Sequence, residues 1–570
     1  MTGRDGRTGR RAGGQEPPDV VIIGSGAGGG MAAYMLTRAG ARVTVIEAGP
    51  LWWPDENSDM WKWNYESMRR GSSTRTRPFG EFDAGDGGWD IPGEPYTVAE
   101  GSKFGWYRGR LLGGRTNHWG RISLRFGPLD FRRKSIDGLG DDWPISYDDV
   151  KPYYDQVDQL IGIFGSPEGL PNEPDGIFLP PPEPRCWEKV IQKSAKGLGM
   201  TIIPSRLSIL TRPLNGRPAC HYCGQCNRGC RANANFSSPG VLLRPAMATG
   251  RLTIIPNAMA REITTLPDGR ARGVSYIDKA AGREMEIRAR VVVVAASACE
   301  SARLLLNSKS SRHPNGLSNS SGVLGKYLTD TVGTGIGAFV PSLMNGKPHN
   351  CDGVGGAHLY FPWVMDNRKL GFPRGYHIEI WGGRGMPRAG AMGGMQDRPI
   401  GGGYGASLKA AARSYYGAFI GFDGRGEQIP TEHCFCEIDP KVVDQWGIPV
   451  LRFHWKWADW EINQAKHMQK TFAELIDAMG GTPTWKVDED TAGIEDGGVI
   501  IHELGTVRMG NDPGKSAVNR FCQAHEAKNV FVTDGGPFVS QADKNPTWTI
   551  LALSMRTSEY IAEQMKANAL

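Results

Sequence analysis

Long apolar runs are missing from this 570-residue chain. No stretch approaches the roughly eighteen residues that a helix needs to cross a bilayer, so no membrane span is expected. Blocks of one charge are missing as well. The formal net charge of +6 is spread along the chain apart from Arg4, Arg7, Arg10 and Arg11, which leaves no basic face of the kind nucleic acid requires. Residues 1–18 read as a disordered polar tail. Arg10-Arg11 is a twin arginine, but the apolar run that follows belongs to a strand and not to a signal h-region. The expectation is therefore a chain that folds in the cytoplasm with no signal peptide of its own, and that stays there or reaches the periplasm only with a partner that carries the signal. There is no internal repeat and no collagen-like glycine period. Cysteine is scarce, and Cys186, Cys299, Cys351, Cys434, Cys436 and Cys522 show no framework spacing, which fits a reducing folding compartment.

The remaining four cysteines are not scattered. Cys220, Cys223, Cys226 and Cys230 fall within one short run, at the spacing of a ferredoxin-type iron-sulfur loop. Two-residue gaps let a wrapped loop point several thiolates inward, and Gly224 and Gly229 allow the tight turns. Structural zinc is the competing reading, although zinc more often takes two Cys-x-x-Cys pairs with a longer connector. Arg231 stands where bacterial ferredoxins have proline, and no second cysteine set exists. The role of Cys230 therefore stays open, as does the choice between a three-iron and a four-iron cluster.

With 39% hydrophobic and 22% charged residues, the composition is that of a globular protein long enough for two or more domains. The 78 glycines are about twice the usual share of roughly 7%, as expected where the backbone must approach a bulky ligand. A dinucleotide site is legible near the start. Asp19-Val-Val-Ile-Ile-Gly24-Ser-Gly26-Ala-Gly28-Gly29 joins an apolar strand to a helix running through about Arg38, and Ala41 to Glu47 supplies the next strand. In this pattern Gly24 makes the tight turn, Gly26 admits a pyrophosphate at the helix N-terminus, Gly29 permits close packing of helix on strand, and Glu47 binds ribose hydroxyls.

Later segments carry a family resemblance. Gly109-Arg-Leu-Leu-Gly113-Gly114-Arg-Thr-Asn117-His118-Trp119, Val291 to Leu305 with Glu300, His502-Glu-Leu-Gly-Thr-Val-Arg-Met-Gly510, Asp534-Gly535-Gly and Asn545-Pro546-Thr547 resemble the glucose-methanol-choline (GMC) oxidoreductases over nearly the whole chain. The cysteine loop, Ala234-Asn-Phe-Ser-Ser-Pro and the Asn-Pro-Thr end are similar to bacterial sugar dehydrogenases, glycoside 3-dehydrogenases and pyranose-oxidising relatives. The resemblance implies FAD, not NAD, as the dinucleotide. It also implies an α/β FAD-binding domain, Rossmann-like and discontinuous, with an α+β substrate domain containing an antiparallel sheet. The expected division is 19–50, 100–140, 240–330 and 496–570 for the FAD domain and 51–99 for a cap. An insertion at 141–239 contains the cysteine loop 220–230, and 331–495 forms the substrate domain.

Oxidising an alcohol by hydride transfer requires a base for the hydroxyl proton. His502 follows the apolar run Val499-Ile-Ile501, read here as a strand, and histidine's ordinary pKa near 6.5 suits the task; the resemblance makes His502 the catalytic base. Asn545 before Pro546 reads as an N-cap with proline at N1 of a helix over Thr547 to Gln564, and the resemblance makes it the partner of His502. His118 is expected at the flavin, with covalent attachment to it an open alternative, alongside Gly113, Gly114, Asn117, Asp534, Gly535, Pro546 and Thr547. Alternation in Gly375 to Trp381 places His377 and Glu379 on one strand face as substrate candidates, and Gln541 and Asp543 join them from the turn before Asn545. The glycine-rich 382–403 reads as a loop.

The expected activity is oxidation of a secondary hydroxyl, at C3 of a sugar or glycoside, by FAD. Electrons would leave through the iron-sulfur cluster to a cytochrome-type acceptor, with a small signal-bearing subunit as second partner. An oxidase using dioxygen, a gluconate- or sorbitol-type dehydrogenase, and a non-catalytic flavoprotein with a zinc docking loop are the alternatives.

Overall fold

The computed structural model describes residues 16–570 except 68–69, 71, 78–85, 347–352, 364–366, 368 and 385–402. Most of the polar tail, Cys351 and most of the glycine-rich loop thus lie outside the described residues. The first layer is a parallel five-stranded sheet. Its order is Val530–Val532, Val291–Val294, Val20–Ile23, Val43–Ile46 and Leu252–Ile255. The central strands carry β-branched residues on both faces and are buried throughout, as parallel strands covered on two sides must be. Helix Ala27–Arg38 starts directly after Gly26 and packs against helix Thr547–Lys566, so the two ends of the chain close one unit. That unit is discontinuous, as expected.

A second layer is a six-stranded antiparallel sheet. It runs Thr482–Pro483, Val332–Phe339, Phe419–Gly426, Tyr376–Gly382, Leu359–Phe361 and Ile203–Pro204. Helix Asp459–Ala478 covers it through Met468, Phe472, Leu475 and Ile476, which share a core with Ile336, Ile378 and Phe422. Pro449–His454 does not join this sheet. It pairs with Phe435–Val443 and Thr97–Val98, and Cys436, Phe453 and Trp455 pack in the same core as Val21 and Val292. Residues 435–454, expected in the substrate unit, therefore belong with the first core. None of the helices among the described residues is long and apolar enough to cross a membrane.

The apolar run Val499 to Ile501 is a turn and not a strand. Gly498 takes φ 78° and Ile501 φ 68°, and Val499 and Ile501 donate back to Asp496 and Gly498, so the backbone curls where the side chains alone suggested extension.

Candidate active site

One cavity of about 510 Å³ runs from the glycine turn after the first strand to His502 and Asn545. At its first end Gly24 adopts φ +92°, and a Cβ there would stand 2.5 Å from the Ala295 carbonyl oxygen. A Cβ on Gly29 would stand 2.0 Å from the Gly24 oxygen, and one on Gly28 2.0 Å from the Thr533 oxygen. These two glycines let the helix sit on the sheet. Gly26 differs, because a Cβ there would meet nothing within 4 Å; it borders open cavity at the helix N-terminus, where a pyrophosphate is favoured. Glu47 closes this end. Its carboxylate accepts from Ser25 N at 3.2 Å, Ser25 Oγ at 2.5 Å and Gly49 N at 2.9 Å, while burial raises its pKa against those bonds. Ser25 Oγ also accepts from Gly113 N, which ties the second glycine segment to the first. The residues present fit a dinucleotide.

Asp534 stands at the C-terminal end of its strand and lines the cavity with Gly535. It accepts from Ser297 N at 3.0 Å and Gly536 N at 2.8 Å. Burial nevertheless pushes its pKa up to about 6. Gly114, His118, Pro546 and Thr547 line the same cavity. Asn117 is turned into its own loop instead, donating to the carbonyls of Leu112 and Gly114.

At the other end four side chains converge. His502 Nδ1 lies 2.9 Å from Thr331 Oγ1, and Thr331 Oγ1 accepts from Gln541 Nε2 at 2.9 Å. The Thr331 hydroxyl can accept from Nδ1–H or donate to a bare Nδ1, but the Asn545 amide beside the other nitrogen is a donor and needs Nε2 bare, which selects the tautomer with the proton on Nδ1. His502 Nε2 is 3.5 Å from Asn545 Nδ2. Below the ring, the Asp330 carboxylate accepts the backbone N–H of His502 at 2.9 Å and of Ile500 at 3.3 Å, holding the turn that carries the base. Burial pushes Asp330 up to about 7, with Glu503 adding repulsion. His502 itself is pushed down to about 3, by burial first and then by the Arg425 charge, with Glu379 opposing. A base whose pKa falls stays neutral as pH drops through 6.5. Histidine-labelled NMR is therefore expected to show His502 neutral and protonated at Nδ1 from about pH 8 down to about pH 5; an imidazolium signal titrating near 6.5 would contradict this.

Asn545 does not cap the final helix. Pro546 occupies the cap position without a side-chain bond, and the Asn545 amide donates to Glu379 Oε1 at 3.0 Å. Glu379 lies 3.5 Å from Arg425 Nη2 and 3.3 Å from His377 Nε2. Burial opposes its ionisation, but Arg425 and the bonds from His377 and Asn545 hold it well below the usual carboxylate range. His377 and Asp543, expected to face a substrate, do not. His377 Nδ1 bonds the Asp543 carbonyl, and the Asp543 side chain takes Lys544 Nζ at 2.5 Å. Lys544 is buried and is shared with Asp130 and Glu173; a buried ammonium needs such partners, so this turn is a strut behind Asn545. Gln541 acts through Thr331. Thr331, Asp330 and Lys544 lie in no motif, which is why the sequence did not single them out.

His118 Nε2 lies 2.7 Å from Tyr107 Oη, and burial, with Arg121 and Arg115, pushes it down to about 3. Arg121 donates to the carbonyls of Asn117 and Cys226, linking the His118 segment to the cysteine loop, and Asn227 of that loop reaches the large cavity. Cys220, Cys223, Cys226 and Cys230 line one small separate cavity with Met60 and Ile209. Gly224 and Gly229 make its positive-φ turns. Burial raises Cys220 to about 12 and also raises Cys223. Among the described residues no three His, Cys, Asp or Glu side chains gather around a single metal ion.

Two family models described as GMC oxidoreductase match residues 27–333 and 430–554. The chain is 31% identical to 2-methyl-1,2-propanediol dehydrogenase of Mycolicibacterium austroafricanum over 96% of this chain and 95% of that one. It is 24% identical to the fructose dehydrogenase large subunit of Gluconobacter japonicus over 96% and 98%. C-glycoside 3-oxidase of Microbacterium trichothecenolyticum is 26% identical over 53% and 52%. Among solved structures, pyridoxine 4-oxidase from Mesorbium loti superposes with a TM-score of 0.61 at 17% identity, covering 96% of this chain and 99% of that one, which is a likeness of fold.

Proposed function

This chain is a member of the GMC oxidoreductase family, a flavin-dependent oxidoreductase acting on CH-OH groups, and from that premise we propose that it oxidises a secondary hydroxyl, at C3, of a sugar or glycoside to the ketone. The observation that carries the reading is the pairing of His502 Nε2 with Asn545 Nδ2, 3.5 Å apart on the wall of a cavity whose other end is built from Gly24, Gly26 and Glu47. FAD, held by Gly24, Gly26, Glu47, Asp534 and the Pro546-Thr547 helix start, supplies a hydride acceptor when bound.

The chain's own residues do the rest. His502 takes the hydroxyl proton at Nε2 while Thr331 keeps the other nitrogen engaged, and Asn545 donates to the same oxygen to hold it in place. The N-terminus of helix Thr547–Lys566, whose first residue lines the cavity, favours negative charge there. Asp330 fixes the turn that carries His502, and the buried Lys544 cluster fixes the turn that carries Asn545. His118 contacts the flavin in this reading, with a covalent bond as its stronger form.

The same proposal extends to the cysteine loop. Cys220, Cys223, Cys226 and Cys230 would hold an iron-sulfur cluster, which would supply one-electron transfer. Support comes from their spacing, from the shared cavity they line and from the Arg121 link to the His118 segment. A cytochrome-type acceptor and a small signal-bearing subunit are the partners this implies, with export in the company of that subunit. The relatives named oxidases favour dioxygen as a second reading of the acceptor.

The test is incubation of the purified holoenzyme with methyl glucoside and either a dye acceptor or dioxygen, with the product identified by NMR and the metal by electron paramagnetic resonance. A 3-keto glycoside formed with dye, together with a cluster signal, is the expected result. No oxidised glycoside would overturn the substrate assignment, turnover with dioxygen alone would overturn the acceptor, and zinc without a cluster signal would overturn the relay.

A further inference from the structure

Glu379 accepts from the Asn545 amide and His377 and stands beside Arg425. Its surroundings suit a second task. Asn545 Nδ2 is 3.5 Å from His502 Nε2 and 3.0 Å from Glu379 Oε1. An oxygen held between His502 and Asn545 at an ordinary hydrogen-bond length of about 2.8 Å therefore stands within about 6 Å of that carboxylate oxygen. A hydroxyl on the neighbouring carbon spans such a gap, since it lies close to the first oxygen and reaches the carboxylate through one O–H···O bond of about 2.7 Å.

Three observations support an occupant there. The Glu379 side chain is 17% exposed, so it is not sealed off, and it stands directly behind Asn545 on the cavity wall. Arg425, 3.5 Å away, keeps it ionised and thus acceptor-only, which makes it a site for a donor. Asn545 is only 7% exposed, yet its Oδ1 finds no hydrogen-bond partner among the described residues. Resting on the assignment of His502 and Asn545 to the reacting alcohol, we propose that Glu379 receives a second substrate hydroxyl on the carbon next to the one oxidised, so that the site selects vicinal diols over isolated alcohols. A C–H group placed there displaces water from the carboxylate and adds no donor to those of Asn545 and His377, which is how polar sites reject analogues that lack one hydroxyl.

The experiment compares cis-cyclohexane-1,2-diol with cyclohexanol, a pair that does not depend on the sugar assignment. Anaerobic reduction of the holoenzyme flavin is measured alongside calorimetric binding of each alcohol. The expected result is a preference for the diol of at least about thirtyfold, as for loss of one hydrogen bond to a charged group, falling to within about threefold in Glu379→Ala and to an intermediate value in Glu379→Gln. The ratio is internal to each variant, so a general loss of rate from a displaced Asn545 does not move it. Flavin content and circular dichroism establish that each variant is folded. Equal rates and equal binding of the two alcohols in the unaltered protein would overturn the proposal, as would a preference that survives in Glu379→Ala. Preference for the diol with no reaction on glycosides would overturn the sugar assignment and leave this inference standing.

Discussion

His502→Ala is expected to keep its flavin and to reduce it at least about a hundredfold more slowly with a productive alcohol, the lower end of the range for a positioned general base. Retention of flavin follows from the layout of the cavity: the groups at the dinucleotide end, Gly24, Gly26, Glu47 and Asp534, do not involve His502. The loss of rate follows from the chemistry, because a neutral alcohol does not release its proton at neutral pH without an acceptor. Thr331 and Gln541 orient the ring but carry no free base, and the Glu379 carboxylate, held despite its burial well below the usual carboxylate range by Arg425, His377 and Asn545, is too weak a base to replace it. Rapid-mixing measurement of flavin bleaching gives the number. A rate within about threefold of the unaltered protein would remove His502 from the chemistry.

Gly29→Ala should prevent the fold from closing. The added methyl would lie 2.0 Å from the Gly24 oxygen and 3.2 Å from the Ala295 Cβ, and the first of these is backbone of the strand-to-helix turn, which cannot swing aside. A cost of about 3 kcal/mol or more, with loss of the cofactor, is expected from overpacking of this kind. Gly26→Ala provides the contrast. Its methyl meets no protein atom within 4 Å, so the cofactor-free protein should melt within about 0.5 kcal/mol of normal while FAD binds about tenfold or more weakly. Thermal unfolding with and without FAD separates the two. Equal behaviour of the two variants would contradict the distinct roles of these glycines.

The N-terminal unit was legible because glycine positions, strand composition and the acidic residue at the second strand's end all constrain one another over a short segment. The same local logic failed at Val499 to Ile501, where three apolar residues read as a strand but Gly498 and the carboxylate of Asp330 make a turn. At Asn545 the Asn-Pro pattern pointed to a cap, yet the amide is drawn to Glu379, a partner from a distant strand. Strand alternation put His377 and Glu379 on one face, but alternation says nothing of what stands opposite: the Asp543 carbonyl claims His377, while Arg425 beside Glu379 keeps it an ionised acceptor. Thr331, Asp330 and Lys544 reach the site only through tertiary contact. No spacing in the chain announces them.

The most direct measurement is anaerobic flavin reduction by a glycoside bearing deuterium at the carbon to be oxidised, in the unaltered protein and in His502→Ala. Bleaching slowed several-fold by deuterium, and slowed by a further hundredfold or so in the variant, is the predicted result. Bleaching that is indifferent to deuterium and to the loss of His502 would mean that the alcohol C–H is not broken at this site.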